Sequence, residues 1–309
     1  MGPLTKRILL FTVALVVLYG SAFLVMGHVR FRGKALIYRT ADYYQWTGGD
    51  SWQRFREYHP AVRQDAVIIG SSHAYRGYDP SVFAARGYRV FNLGSSAQTP
   101  LNSQYLIEAF LDSANAPLLV FDVYEGVFAS TGFESTADLT QNLPSPAAAW
   151  GMVGALGDLR GLNMMALRAV IHGEAPLYMD KEYRGLGFVP RRDTLRKEPR
   201  PMSAPDPAMA GKQWKHFKAA IALCRERGIR VVVTSHWALP ARGGEVHSTF
   251  VHQVRQALQG TGIPYVDLTD AAGSTDMDHY ADDNHLNAAG AALFTAQLVD
   301  SLERRGYLR

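Results

Sequence analysis

The sequence predicts an α/β protein in three layers: a five-stranded parallel sheet between two layers of helices, preceded by one membrane-spanning helix. Three observations carry the prediction. From residue 65 onward, short β-branched runs alternate with helix-like segments, as repeated strand–helix–strand units require. The first run, Ala66-Val67-Ile68-Ile69, is apolar throughout rather than alternating, which is the pattern of a strand covered on both faces. Near the amino terminus, residues 8–26 contain no charge and no proline and directly follow Lys6-Arg7.

That first stretch, at about 1.5 Å of rise per residue, is just long enough to cross a hydrocarbon core. The rival reading is a cleaved signal peptide, with Gly20 and Ala22 as the small residues of a cleavage site. Phe23-Leu24-Val25-Met26 continues the apolar run past that site, which favours an uncleaved anchor over residues 1–27. Lys6 and Arg7 lie on one side of it and Arg30, Arg32 and Lys34 on the other, so the positive-inside rule does not decide the orientation. A short tail ahead of a large domain is the arrangement of a signal anchor. The expectation is therefore a single-pass protein of the cell membrane with its bulk on the extracytoplasmic side. Residues 28–64 read as a juxtamembrane segment. In it Tyr38, Tyr43, Tyr44, Trp46, Trp52, Phe55 and Tyr58 are interleaved with arginines, which suits either a membrane interface or packing on the next domain. A Gly48-Gly49-Asp50 turn breaks it.

The remaining domain, 65–309, carries strand patterns at 67–69, 88–93, 118–123, 229–234 and 265–268. Asp79-Pro80 opens a short helix, as N-cap and first helical residue, and Gly87 ends it. Longer helices are expected over 102–113, 212–227, 245–259 and 287–304. One interval, 124–211, interrupts the rhythm. Its 156–171 portion looks helical, and 190–207 is basic and rich in proline. An insertion of this length is usually functional or flexible. The expectation is a helical lid over the site with a mobile basic segment; a surface insertion without a role is the alternative.

Composition excludes several classes. The 309 residues are 47% hydrophobic and 19% charged, ordinary for a globular protein with a substantial core. A net charge of +4 from scattered Lys and Arg leaves no nucleic-acid footprint. The single cysteine, Cys224, rules out an internal disulfide and a cysteine-based metal site, and reads as a buried, inert thiol.

Chemistry-bearing residues gather at two places. Residues 66–69 run straight into Gly70-Ser71-Ser72-His73, a hydroxyl-bearing turn at the carboxyl end of a buried strand, where open α/β sheets place their sites. Near the carboxyl terminus, Asp282 and His285 stand three residues apart ahead of the last helix. That spacing can put an imidazole and its orienting carboxylate on one turn, so that the imidazole removes a serine proton. His73 adjoins the serine, but neighbouring side chains on extended backbone point apart, so it suits a pocket rim better than a base. His236, at the end of the fourth strand, is either a pocket residue or a satisfied structural histidine. Asp283 competes with Asp282, and Asp278-His279 is a nearby decoy.

These blocks resemble those of the SGNH/GDSL-type hydrolases and, within that superfamily, the membrane-anchored D-alanyl transfer proteins of teichoic acid modification. Gly70-Ser71-Ser72 matches the first block, whose third residue is the nucleophile, here Ser72. Asn92-Leu93-Gly94 matches the second, whose glycine N–H belongs to the oxyanion hole with that of Ser72. Asp282 and His285 match the last block. The third block departs: a Gly-x-Asn-Asp is expected, and the chain reads Phe121-Asp122-Val123-Tyr124-Glu125-Gly126. The D-alanyl transfer branch also lacks that asparagine. Tyr124 is either a substitute hydroxyl donor or a buried structural tyrosine; His73, Asn92, Tyr124 and His236 are the pocket candidates.

The resemblance implies a flavodoxin-like strand order and a serine esterase or O-acyltransferase that needs no metal or other cofactor. It implies a glycan or polymer acceptor in the cell envelope and a membrane-bound O-acyltransferase as partner. The alternative is a non-catalytic scaffold of the same fold, serving an envelope assembly.

Overall fold

The computed structural model describes residues 2–39, 47–170, 177–200, 207–240 and 244–309. Tyr43, Tyr44 and Trp46, the last residue of the 156–171 helical stretch and residues 201–206 of the basic stretch lie outside the described residues.

The chain opens with helix α1 (Pro3–His28), long and apolar enough to cross a membrane. A short antiparallel hairpin follows, β1 (Arg30–Phe31) and β2 (Lys34–Ala35). Helix α2 (Trp52–Glu57) then brings Phe55 and Tyr58 into the main core, so these aromatics pack on the domain.

The central sheet forms from β3 (Ala66–Ile69), β4 (Val90–Asn92), β5 (Leu118–Asp122), β6 (Arg230–Ser235) and β7 (Tyr265–Asp267). Every pairing is parallel and the spatial order is β4-β3-β5-β6-β7, the flavodoxin-like arrangement. Side-chain alternation divides the sheet into two apolar faces. Val67, Ile69, Leu119, Phe121, Val231 and Val233 face the first layer. It is built from α5 (Pro100–Phe110), α10 (Pro207–Glu226) and α11 (Gly244–Leu258). Ala66, Ile68, Leu118, Val120 and Val232 face the second. That layer holds α3 (Ser72–Gly77), α4 (Pro80–Ala84) and α12 (Ala288–Arg304). Fully burying each large apolar side chain contributes about 1.5–3 kcal/mol, so both faces are strongly held. Cys224 lies in the first layer, where burial pushes its thiol up to about 12.

The insertion holds α6 (Glu125–Phe128), α7 (Phe133–Leu139), α8 (Pro146–Leu156) and α9 (Leu159–Val170). The helix expected over 156–171 is α9, which begins at Leu159; α8 precedes it and ends where Gly157 takes a left-handed conformation (φ 64°), and the Asp158 carboxylate accepts from the Arg160 N–H as α9 begins. α7, α8 and α9 do not form the expected lid, while Tyr124 and Glu125 at the start of the insertion line the pocket. α7 and α8 pack on α5, α9 packs on α7 and α8, and all three share a third apolar cluster containing Ala35, Ile37, Val153, Leu156, Met164 and Leu167, with Phe23 and Met26 of α1 against it. The segment after them crosses the sheet edge. The Asn92 N–H donates to Leu186 O (2.9 Å), Val189 N–H to Tyr75 O (2.9 Å) and Leu195 N–H to Tyr280 O (2.8 Å). The first of these bonds takes an amide of the edge strand β4, and the other two tie the segment to α3 and to the loop before α12.

Candidate functional site

The order of the strands reverses between β3 and β5, and the crevice at their carboxyl ends is where such sheets bind ligands. Gly70 makes the exit from β3 possible, because a Cβ there would lie 2.8 Å from the Asp122 Cβ of the neighbouring strand. Ser71 caps α3, its hydroxyl accepting from the His73 N–H. Ser72 is the first residue of α3, where backbone N–H groups have no intrahelical acceptor.

Ser72 meets a residue 213 positions away: its Oγ lies 2.7 Å from His285 Nε2. The imidazole is held from behind, with His285 Nδ1 3.0 Å from both Asp282 carboxylate oxygens. Asp282 Oδ1 also accepts from the backbone N–H groups of Asn284 and His285, at 2.8 Å each. One tight loop therefore fixes carboxylate and imidazole together. Burial works against the charge on Asp282, but the His285 hydrogen bond and charge and the two backbone donors outweigh it and draw its pKa down to about 2. Asp283 pairs with Arg200 at 3.2 Å and lines the adjoining pocket. His279 of the decoy pair hydrogen-bonds Gly273 O.

A second carboxylate–imidazole pair lies beside this one. His236 Nδ1 is 2.9 Å from Asp122 Oδ1, which also accepts from the Tyr78 hydroxyl at 2.5 Å. Burial, with Asp122 beside it, pushes the Tyr78 phenol well up. His73 connects the two pairs: its ring stacks on His236 at 4.0 Å and on His285 at 5.0 Å, with Tyr124 edge-on at 4.3 Å. His73, Tyr124 and His236 line one pocket, with Glu125, His247 and Asn284 also in its wall. None of its lining residues comes from α7, α8 or α9.

Asn92, one of the pocket candidates, is placed as a buried brace. It is wholly buried, and its side-chain amide donates to Ala74 O (2.8 Å) and Tyr78 O (3.1 Å), tying α3 to the sheet. Its carbonyl oxygen accepts from the Gly94 N–H at 3.0 Å. The expected oxyanion donor is thus engaged, and reaching a ligand requires it to leave or share that bond. The loop after Gly94 rests on the insertion: Ser95 Oγ meets Ser135 Oγ at 2.8 Å, and Ser96 donates to Glu134.

Sequence reasoning missed His247. It lies between Glu125 and Asp267, with Nδ1 and Nε2 each 3.3 Å from a carboxylate oxygen. Burial lowers its pKa, but hydrogen bonds to Asp267 and Glu125 prevail and raise it to about 10. The signal was a histidine on the apolar stripe of α11, in register with Phe250, Val251, Val254 and Leu258. The partner role of Asp122 was missed as well, though an acid closing the buried run of residues 118–122 pointed to it.

No family model and no curated protein matches the chain. Among solved structures it is similar to a candidate acylhydrolase from Bacteroides fragilis (11% identity, 84% of this chain and 96% of that one, TM-score 0.45). A GDSL-like lipase from Bacteroides thetaiotaomicron is similar at 11% identity, over 82% of this chain and 96% of the other, with a TM-score of 0.42. A candidate GDSL-like lipase from Parabacteroides merdae gives 12% identity, 80% and 98% coverage and a TM-score of 0.42.

Proposed function

We propose that the chain is a membrane-anchored serine acyl-transfer enzyme of the SGNH/GDSL type. The observation that carries the reading is the 2.7 Å contact of Ser72 Oγ with His285 Nε2, with Asp282 on the other ring nitrogen. In this mechanism His285 takes the Ser72 proton as Oγ attacks an ester or thioester carbonyl, and Asp282 stabilises the imidazolium that results. The Ser72 N–H receives the oxyanion, joined by the Gly94 N–H as its bond to Asn92 gives way. A donor of this kind is typically worth about 3 kcal/mol of barrier. His285 then protonates the leaving group, and water or an acceptor hydroxyl takes the acyl group from Ser72.

The proposed setting is the cell envelope. Residues 1–27 form the anchor and 65–309 the acyl-transfer domain, interrupted by the 124–211 insertion. The packing of Phe23 and Met26 against the apolar cluster to which α8 and α9 contribute supports a helix that stays with the domain rather than a cleaved signal. The proposed substrate is a cell-envelope glycan or polymer that is O-acylated or de-O-acylated on the extracytoplasmic side, with a membrane-bound O-acyltransferase as acyl donor partner.

Two experiments test this. A fluorophosphonate probe is expected to label the wild-type chain and not Ser72→Ala; equal labelling of both removes the serine mechanism. Surface-glycan acylation, compared with and without the gene, separates the directions: loss of acyl groups on deletion supports transfer, and gain supports hydrolysis.

A further inference from the structure

The α8–α9 hairpin carries an apolar face that the fold leaves uncovered. Trp150, Leu159 and Leu162 are 47%, 59% and 47% exposed. α8 contains no charged residue, and α9 contains only Arg160 and Arg168. Arg168 donates to Thr140 and Ala137, while Arg160, half-exposed, has its charge paired with Asp158 and lies over the Phe133 ring. The opposite face of the hairpin is buried, through Val153, Leu156, Met164 and Leu167. An amphipathic pair with apolar residues on both sides needs a second apolar environment.

Its position relative to α1 says which. Phe23 and Met26 pack on the same cluster as α8 and α9, and the Tyr19 hydroxyl donates to Asn163 of α9. Tyr19 lies seven residues before Met26, the last residue of the apolar run. At about 1.5 Å per residue, Asn163 sits about 10 Å below the end of that run. That is the depth at which interfacial helices bury their apolar faces, about 5–10 Å into the headgroup and acyl boundary. Arg30 and Arg32 follow α1 directly, where a span ending at Met26 would meet lipid phosphates. A cavity between α1 and α9, lined by Tyr19, Phe23, Met26 and Leu167 with Arg160 and Asn163, offers room for a lipid chain beside the span.

We propose that the α8–α9 hairpin is a second membrane attachment, lying in the lipid interface with Trp150, Leu159 and Leu162 immersed. It rests on the reading of α1 as a retained membrane span. The domain is then held to the bilayer at two points, which fixes its rotation about α1 as well as its tether.

The full chain in phosphatidylcholine nanodiscs tests this, with a fluorophore on single introduced cysteines. Cys224 is buried, and the unsubstituted chain serves as the labelling blank. The positions are Leu162→Cys and Leu159→Cys on the hairpin, Val16→Cys within α1 and Gln256→Cys on exposed α11. All four side chains are exposed in the chain alone, so the substitutions leave the fold intact. Doxyl-labelled phosphatidylcholine is expected to quench the two hairpin positions about threefold more than Gln256→Cys, and aqueous iodide to do the reverse. Iodide quenching of the hairpin at the Gln256→Cys level overturns the proposal. So does protection from both quenchers, which would mean a protein cover. Failure at the hairpin with Val16→Cys quenched by lipid removes this inference alone; failure at Val16→Cys removes the anchor and this inference together.

Discussion

Two carboxylate–imidazole pairs stand side by side at the carboxyl end of the sheet, and they differ in almost everything except geometry. Asp282 and His285 are three residues apart, with their side chains 38% and 19% exposed. Asp122 and His236 are 114 residues apart and almost wholly buried. Both hold an Nδ1 about 3 Å from a carboxylate oxygen. The pairing alone therefore does not define a base. What separates the pairs is the hydroxyl presented to the other ring nitrogen, and enough solvent contact to return a proton. On the proposed mechanism the half-open pair does the chemistry, and the buried pair is the wall on which His73 rests.

The largest effects should fall on the first pair. Ser72→Ala and His285→Ala are expected to lower ester turnover by about 10⁶-fold, measured with an activated acetyl ester. His236→Ala should retain fluorophosphonate labelling, and loss of labelling there would put the base at the wrong pair. Asp282→Asn should cost about 10⁴-fold in kcat, because the imidazole loses its orienting charge. Asp122→Asn should instead lower stability in chemical denaturation by about 1–3 kcal/mol, through the disturbed Tyr78 and His236 bonds. Comparable kcat losses in the two Asn variants would erase the distinction.

His247 extends the comparison to an imidazole with carboxylates on both sides. Its folded pKa of about 10 lies above its ordinary value of about 6.5. The stabilisation is fully present below the ordinary value and is lost as pH rises through about 10. The stability gap between wild type and His247→Gln should thus be widest near pH 6, at about 3 kcal/mol, and close towards pH 10 in denaturant titrations.

The smallest effect concerns acids with no imidazole between them. Burial, then Asp138, raises Asp50 to about 6. Its protonated form is favoured on folding, so this contribution is present at low pH and lost as pH rises through about 6. Asp50→Asn should melt above the wild type at pH 8, with the difference vanishing as pH falls towards 4.

Much of this architecture was legible because it is local. Five strands were readable from short runs rich in apolar and β-branched residues, and α12 from its Asn287 cap, whose side chain accepts from the Gly290 N–H. Asp282 and His285 were readable because one turn holds both. Asp122 with His236, and His247 with Glu125 and Asp267, are products of strand order, and no spacing rule connects residues 114 or 122 positions apart. Asn92 misled for a related reason. Its place in a motif says nothing of which way the amide points, and the carbonyls of Ala74 and Tyr78 claim it. The insertion was long enough to suggest a lid, but α7 and α8 pack on α5 and share with α9 the cluster at the end of α1, while Tyr124 and Glu125 at its start line the pocket.

The segment across the sheet edge has a kinetic consequence. Leu186 receives the Asn92 N–H, Val189 donates to Tyr75 on the helix of Ser72, and Leu195 donates to Tyr280 at the start of the loop of His285. At Gly187 a Cβ would lie 1.8 Å from Asn92 O, so only glycine lets the chain come this close. Ser72 and His285 are therefore tied to one piece of chain that can dock only after β4 has joined the sheet. Contacts of such long sequence separation form slowly. On refolding, secondary structure should return first and competence to react with a phosphonate should trail behind it, as the last property the molecule recovers.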